Sequence, residues 1–275
     1  MTLQEMLKEM TNQLVTYSEL PRLEAEILMA YLLKVEKSYL FTHSKQLLSS
    51  EMVENLNALI KRRQKGEPIA YLIGSKEFWS LSLNVNSHVL IPRPETELLV
   101  ELALHLLPEN ESLSIVDLGT GSGAIAIALA AERPHWKILA IDKSLEALEI
   151  AKNNAQELQC NNIEFIASHW YEKLPLKKYA AIISNPPYIA LSDPHLENLF
   201  YEPQSALVSG EIGDEDLEKI IINAEKYLLS NGLLLLEHGY NQALNVRNKL
   251  YNAGFQKIET RKDLAGIERV TLGFW

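Results

Sequence analysis

The strongest constraint in this chain is a short apolar run that stops on a pair of prolines: Ala180-Ala181-Ile182-Ile183, then Ser184, then Asn185-Pro186-Pro187-Tyr188. A run this short and this apolar reads as a strand in a mostly parallel sheet. The prolines end its hydrogen-bond ladder and give the chain a stiff, extended exit. Asn185 is thereby parked at a strand's carboxyl end, which is where open α/β sheets put their ligands. The amide oxygen of Asn185 and the carbonyl of Pro186 are two acceptors on one rigid turn. Converging, they can hold a planar NH2 group by both hydrogens and aim its nitrogen at an electrophile, with Tyr188 against the flat face. A plain Pro-Pro turn with a solvated Asn cap is the alternative reading.

The remaining chain reads as alternating strands and helices behind a helical start. From Leu3 to Ile60 apolar residues recur at three and four, as in Leu3, Met6, Leu7 and Met10, which predicts a bundle of four or five helices over residues 1–70. Trp79, Leu81, Leu83 and Val85 alternate with polar residues, and with Tyr71-Leu72-Ile73-Gly74 before them they predict a β-hairpin linker over 71–88. The larger domain, 89–275, opens on the Pro-stiffened Ile91-Pro92-Arg93-Pro94-Glu95-Thr96-Glu97. Strands follow at Leu113–Leu118, Ile138–Ile141, Ile163–Ile166, Ala180–Ser184 and Gly232–Glu237. Helices lie between them, one of them read over Leu217–Leu229, and Phe255–Arg261 with Arg269–Phe274 form a closing antiparallel pair.

Charge narrows the class of function. The net charge is −10, and it lies entirely beyond residue 85: residues 1–85 carry ten basic and ten acidic side chains, residues 86–275 carry 16 and 26. An acidic larger domain argues against nonspecific grip on a phosphate backbone. The basic run Lys61–Lys65 reads as a solvated helix end. There is no secretory leader and no apolar run of membrane length, so a cytoplasmic protein is expected. The single cysteine, Cys160, allows neither an internal disulfide nor a cysteine metal cluster, and no metal is expected.

Gly119-Thr120-Gly121-Ser122-Gly123 follows the first of these strands and precedes a helix, and Asp142 ends the next strand. Alternate glycines permit a tight turn that brings backbone N–H groups to a ligand, and an acidic residue at that distance receives a ribose diol. This fits NAD as well as S-adenosylmethionine. The closing hairpin and the absence of a placed base near the fourth strand favour the methyl donor.

The segments Asp117–Ala126, Asn185–Ile189 and Ile91–Glu97 together resemble the HemK/PrmC family, the glutamine N5-methyltransferases of bacterial peptide chain release factors. The resemblance continues through Glu202-Pro203-Gln204-Ser205-Ala206-Leu207 to Asp263–Arg269. It implies a class I S-adenosylmethionine-dependent methyltransferase: a Rossmann-like α/β sheet of seven strands with an antiparallel terminal hairpin, preceded by a helical bundle that helps hold the protein substrate. By the family's pattern Gly119, Thr120, Gly121, Ser122 and Gly123 wrap the methionine part of the donor, Asp142 takes its ribose hydroxyls, and Trp170 flanks the adenine. Asn185, which also borders the donor, binds the substrate glutamine with Pro186, Pro187 and Tyr188; Asn185, Pro186 and Tyr188 carry the catalysis. The implied substrate is the glutamine of the Gly-Gly-Gln loop of class I release factors, and the product of the donor is S-adenosylhomocysteine.

The chain departs from the family at Ser168-His169-Trp170, where Ser-Asp-Trp is common, and in Gly210–Ile220, which lacks the usual Asp-Gly-Leu and aromatic pattern. The nearest rival is an amino-methyltransferase acting on an exocyclic base nitrogen of DNA or RNA, which presents the same planar NH2. The acidic domain weighs against a direct nucleic-acid substrate. A noncatalytic nucleotide-sensing partner protein is the reading from a different class, and product assays separate it from an enzyme.

Overall fold

The apolar periodicities resolve, in a computed structural model describing all 275 residues, into two units: Met1–Ser75 and Lys76–Trp275. The first holds five helices: α1 (Leu3–Leu14), α2 (Pro21–Leu33), α3 (Lys37–Thr42), α4 (Ser50–Gln64) and α5 (Ile69–Ile73). A reciprocal cap starts α1: the Thr2 hydroxyl accepts from the Glu5 N–H while the Glu5 carboxylate accepts from the Thr2 N–H. Its three-four stripe of Leu3, Met6, Met10 and Leu14 is fully buried with Leu28, Met29, Leu56 and Ile60. Arg63 of the basic run pairs with Glu24 at 2.8 Å, and Arg62 pairs with Glu67, so part of that run is neutralised within the unit.

The hairpin starts later than its sequence pattern implies. Tyr71–Ile73 belong to α5, which begins after Pro68 and stops at Gly74 in the left-handed region (φ 74°). The strands are β1 (Ser75–Phe78) and β2 (Leu81–Asn84), and Trp79 lies in the turn, not in a strand. Trp79 and Ser80 have φ of 52° and 58°, a two-residue turn made without glycine or asparagine, which is why its sequence is silent. Two hydrogen bonds hold it: the Trp79 N–H to Glu97 and the indole N–H to Glu132, both 2.8 Å.

The second unit continues with α6 (Glu97–Leu106), β3 (Ser114–Leu118), α7 (Ala124–Glu132), β4 (Lys137–Asp142), α8 (Leu145–Glu157), β5 (Ile163–Ala167) and β6 (Tyr179–Ser184). After a long insertion come α9 (Glu215–Ala224), β7 (Leu228–Glu237), α10 (Ala243–Asn252), β8 (Gln256–Lys262) and β9 (Glu268–Phe274). The seven-stranded sheet has the order β5-β4-β3-β6-β7-β9-β8, parallel from β5 to β7 with β9 antiparallel to both its neighbours. Alternate residues feed two cores. Ile115, Ile183 and Leu235 face one side with α6 and α7, and Val116, Ile182 and Leu234 face the other with α9 and α10.

The helix expected to run to Leu229 ends at Ala224. Leu228 is already in β7, paired with Tyr179, and the strand bulges before Leu233 aligns with Ala181. Leu228-Leu229 thus enters a strand by pairing, which outweighs its helical spacing. No helix is long and apolar enough to cross a membrane.

Candidate active site

The carboxyl ends of β3, β4 and β6 converge, and the turns leaving them build a cleft. After β3 the chain bends sharply, with the N–H groups of Gly119 and Thr120 both donating to the Ile141 carbonyl at 2.8 Å. The Gly121 N–H then donates to the Asp142 carboxylate at 2.9 Å. Gly121 has φ of 55° and open space where a side chain would stand. Gly119 and Gly121 line the cleft with Asp142, Trp170, Asn185 and Pro187.

The other three residues of the glycine turn face elsewhere. The Thr120 hydroxyl donates to Asp117 at 2.6 Å, beneath the turn. Ser122 is buried, and its carbonyl accepts from Asn154 at 2.9 Å. A Cβ on Gly123 would stand 2.8 Å from Ile127 and 3.2 Å from Ala151, so this glycine serves the contact of α7 with α8. Asp117 is fully buried, and loss of water pushes its carboxyl up to about 7 against the Thr120 bond.

Asp142 stands ready as an acceptor. Its two oxygens each take one backbone N–H, from Gly121 and from Ser144 at 2.9 Å, which fixes the carboxylate at the cleft wall. Burial raises its affinity for a proton despite these bonds. Trp170, in the left-handed region at φ 49°, is pinned by its indole N–H to Asp216 at 3.1 Å. Its ring lies 3.3 Å from where a Gly119 side chain would begin, so the glycine turn and the ring form one wall. His169 borders the cleft, half exposed, beside Glu172 at 3.4 Å.

A second hollow adjoins the first. It is lined by Arg93, Asn185, Pro186, Tyr188, Leu199 and Leu207, and it shares Leu90, Asn185 and Ala206 with the cleft. Asn185 therefore stands where the two meet. Its NH2 group donates to the Thr96 hydroxyl at 3.1 Å, leaving the amide oxygen as the side-chain acceptor at the junction. Pro187, expected beside Pro186, lines the first cleft and not the second hollow. The Tyr188 hydroxyl donates to Glu237 at 3.2 Å, and burial beside that carboxyl pushes its proton affinity well up.

The sequence matches the family model described as methyltransferase small domain over residues 95–266 and that of the PrmC N-terminal domain over residues 5–74. A release factor glutamine methyltransferase from Coxiella burnetii is 48% identical over 270 residues, spanning 98% of each chain. The Escherichia coli protein of that name is 45% identical over 275 residues, 99% of each. The chain belongs to the release factor glutamine methyltransferase family. A solved methyltransferase from Pyrococcus furiosus, 19% identical, aligns with a TM-score of 0.53 over 80% of this chain and 98% of its own, a likeness of fold.

The two hollows share Asn185. Three contributors have no site role in a linear reading of the chain. The insertion supplies Pro203, Ser205 and Ala206 to the cleft. Glu202, buried, anchors it by pairing with Arg93 and accepting from the Ile91 N–H at 3.0 Å. Thr96 and Glu237 stand behind Asn185 and Tyr188. Glu237 carries a signal that would have found it, a carboxylate closing a run of four leucines just as Asp142 closes β4, and Thr96 lies within the Pro-stiffened Ile91–Glu97 segment.

Proposed function

We propose that this protein transfers a methyl group from S-adenosylmethionine to the N5 side-chain nitrogen of the glutamine in the Gly-Gly-Gln loop of a class I peptide chain release factor. The observation that carries the reading is the meeting of the two hollows at Asn185, with the amide oxygen free and the NH2 engaged. The cleft lined by Asp142 and Trp170 suits the donor: Asp142 offers two fixed lone-pair directions to a ribose diol, Trp170 a flat apolar wall to a base, and Gly121 the room for the donor's close approach. When bound, the donor supplies an electrophilic sulfonium methyl.

An amide nitrogen is a poor nucleophile because its lone pair is delocalised, so the chain's task is one of geometry and desolvation. Asn185 and Pro186 accept the two amide hydrogens and point the nitrogen across the junction. As positive charge grows on that nitrogen these acceptors bind more tightly, which favours the transition state over the ground state. The proton leaves to solvent afterwards, so no strong base is required. Leu90, Leu199 and Leu207 exclude water around the acceptor.

The test is incubation with labelled donor and a purified release factor, followed by peptide mass analysis. One methyl on the Gly-Gly-Gln glutamine, absent when that residue is replaced, is the expected result. Label appearing on nucleic acid and none on the factor would overturn the substrate.

A further inference from the structure

The Trp170 side of the cleft is set from outside it. Trp170 turns two opposite edges to two different elements. Its indole N–H donates to Asp216 Oδ1 at 3.1 Å, and its far edge, Cζ3 and Cη2, lies 3.3 and 3.6 Å from where a Gly119 side chain would begin. Asp216 stands in the first turn of α9. Its side chain turns to the indole and to Lys219, whose ammonium donates to the same oxygen at 3.0 Å. The backbone of Asp216 is held separately, by its N–H to the Ser209 hydroxyl at 2.8 Å. Ser209 is 1% exposed and donates its own N–H to the Ile189 carbonyl at 3.0 Å, and Ile189 follows directly on Asn185–Tyr188.

We propose that Asp216 is a positioning residue that holds the Trp170 ring in the orientation that receives the donor's base. The inference rests on the base-wall role given to Trp170 above. An indole is unsymmetrical, and its torsion about the Cβ–Cγ bond has broad, roughly two-fold wells. A half-turn about that bond carries the six-membered ring away from Gly119 and takes the N–H off its acceptor. Apolar burial is non-directional and does not by itself choose between the two orientations. The bond to Asp216 does, because the indole nitrogen only donates and a buried donor without a partner is costly.

The carboxylate is equipped for that task. Asp216 is 7% exposed, and a charge so far out of water persists only where it is paired and bonded. Burial works to raise its proton affinity, the bonds from Lys219 and Trp170 outweigh it, and the carboxyl stays below its usual range. Asp216 therefore accepts, while the exposed Lys219 supplies the opposite charge from outside the cleft. Through Ser209 and Ile189 the same residue is tied to the turn that carries Asn185, so the two sides of the site share one hydrogen-bonded frame.

The experiment compares wild type with Asp216→Leu, Asp216→Asn, Lys219→Met, Trp170→Phe and Trp170→Ala. The Trp170 indole N–H resonance, assigned by its loss in Trp170→Phe, is followed in the free enzyme, and affinity for S-adenosylhomocysteine is measured by calorimetry. Asp216→Leu moves the resonance upfield and weakens binding by about tenfold, because the ring is correctly turned for only a fraction of the time. Asp216→Asn keeps an oxygen for the indole and recovers most of that loss. The single-turnover rate at saturating donor falls by less than the affinity does. In the Trp170→Phe background, which has no N–H, adding Asp216→Leu weakens binding no further. Lys219→Met leaves Oδ1 to the indole alone and moves the resonance downfield, so a folding defect in Asp216→Leu does not shield the inference. A resonance unmoved by Lys219→Met or Asp216→Leu, or an affinity loss from Asp216→Leu as large in the Trp170→Phe background as in wild type, would overturn the proposal. A resonance that moves as stated while Trp170→Ala binds like wild type would support the hold of Asp216 on the ring and overturn the base-wall reading alone.

Discussion

Gly123→Ala separates packing from binding within a single five-residue turn. Gly123 has φ of 85°, and its new Cβ would meet Ile127 at 2.8 Å and Ala151 at 3.2 Å. The left-handed backbone costs about 1–2 kcal/mol for an alanine. Overpacking between two helices adds about 1–3 kcal/mol. Together the substitution should destabilise the second unit by roughly 2–5 kcal/mol, a large share of a domain's net stability. Gly121→Ala is the control, because its backbone is also left-handed (φ 55°) but nothing lies within 4 Å, so only the backbone cost of about 1–2 kcal/mol applies. All four tryptophans, Trp79, Trp136, Trp170 and Trp275, lie in the second unit, so urea unfolding followed by tryptophan fluorescence reads that unit by itself. Donor affinity should move in the opposite order: Gly121→Ala puts a methyl into the cleft and binds the donor more weakly. Equal unfolding midpoints for the two variants would refute the division of the turn into a packing half and a binding half.

Three further outcomes follow from the site. Asn185→Ala should remove most methyl transfer in single turnover at saturating donor while calorimetric donor affinity stays near wild type; an undiminished rate would take Asn185 out of the chemistry. Asp142→Ala should instead weaken donor binding by about 1.5–3 kcal/mol, the usual range for hydrogen bonds to a charged group, and unchanged calorimetry would remove it from the ribose contact. Asp117, with its proton affinity raised by burial to about 7, binds a proton in the folded state that the unfolded chain releases above its ordinary value of 3.8. Its contribution to stability is therefore full below pH 3.8 and is lost as pH rises toward 7. Asp117→Asn removes that loss, so its unfolding midpoint should gain on wild type as the pH is raised from about 4 to about 7; a difference between the two that does not change with pH would refute the buried, protonated assignment.

Much of this architecture was legible because its causes are local. Short apolar runs ending on Gly119, Asp142 and Asn185 announce buried parallel strands with functional residues at their carboxyl ends, and the alternation of those runs with helical spacing leaves few topologies open. The stiff turn after β6 was readable for the same reason, since two prolines dictate their own backbone. Spacing misjudged the places where long-range pairing overrides local preference, as at Leu228, claimed for β7 by Tyr179 some 49 residues away, and at Trp79-Ser80, bent into a turn their residue types do not advertise.

The sequence by itself determined which residue types stand at the strand ends, because a strand's length and exit depend on neighbours within a few positions. Only the tertiary structure decided how those residues are oriented. Gly119 and Gly121 turn to the cleft while Thr120, Ser122 and Gly123 turn to packing, according to what α7, α8 and Asp117 present beneath them. The Asn185 amide is set by Thr96, 89 residues earlier, and Tyr188 by Glu237, 49 residues later. A hydrogen bond's direction depends on which partner arrives with a proton, and that is settled only when distant segments are buried together.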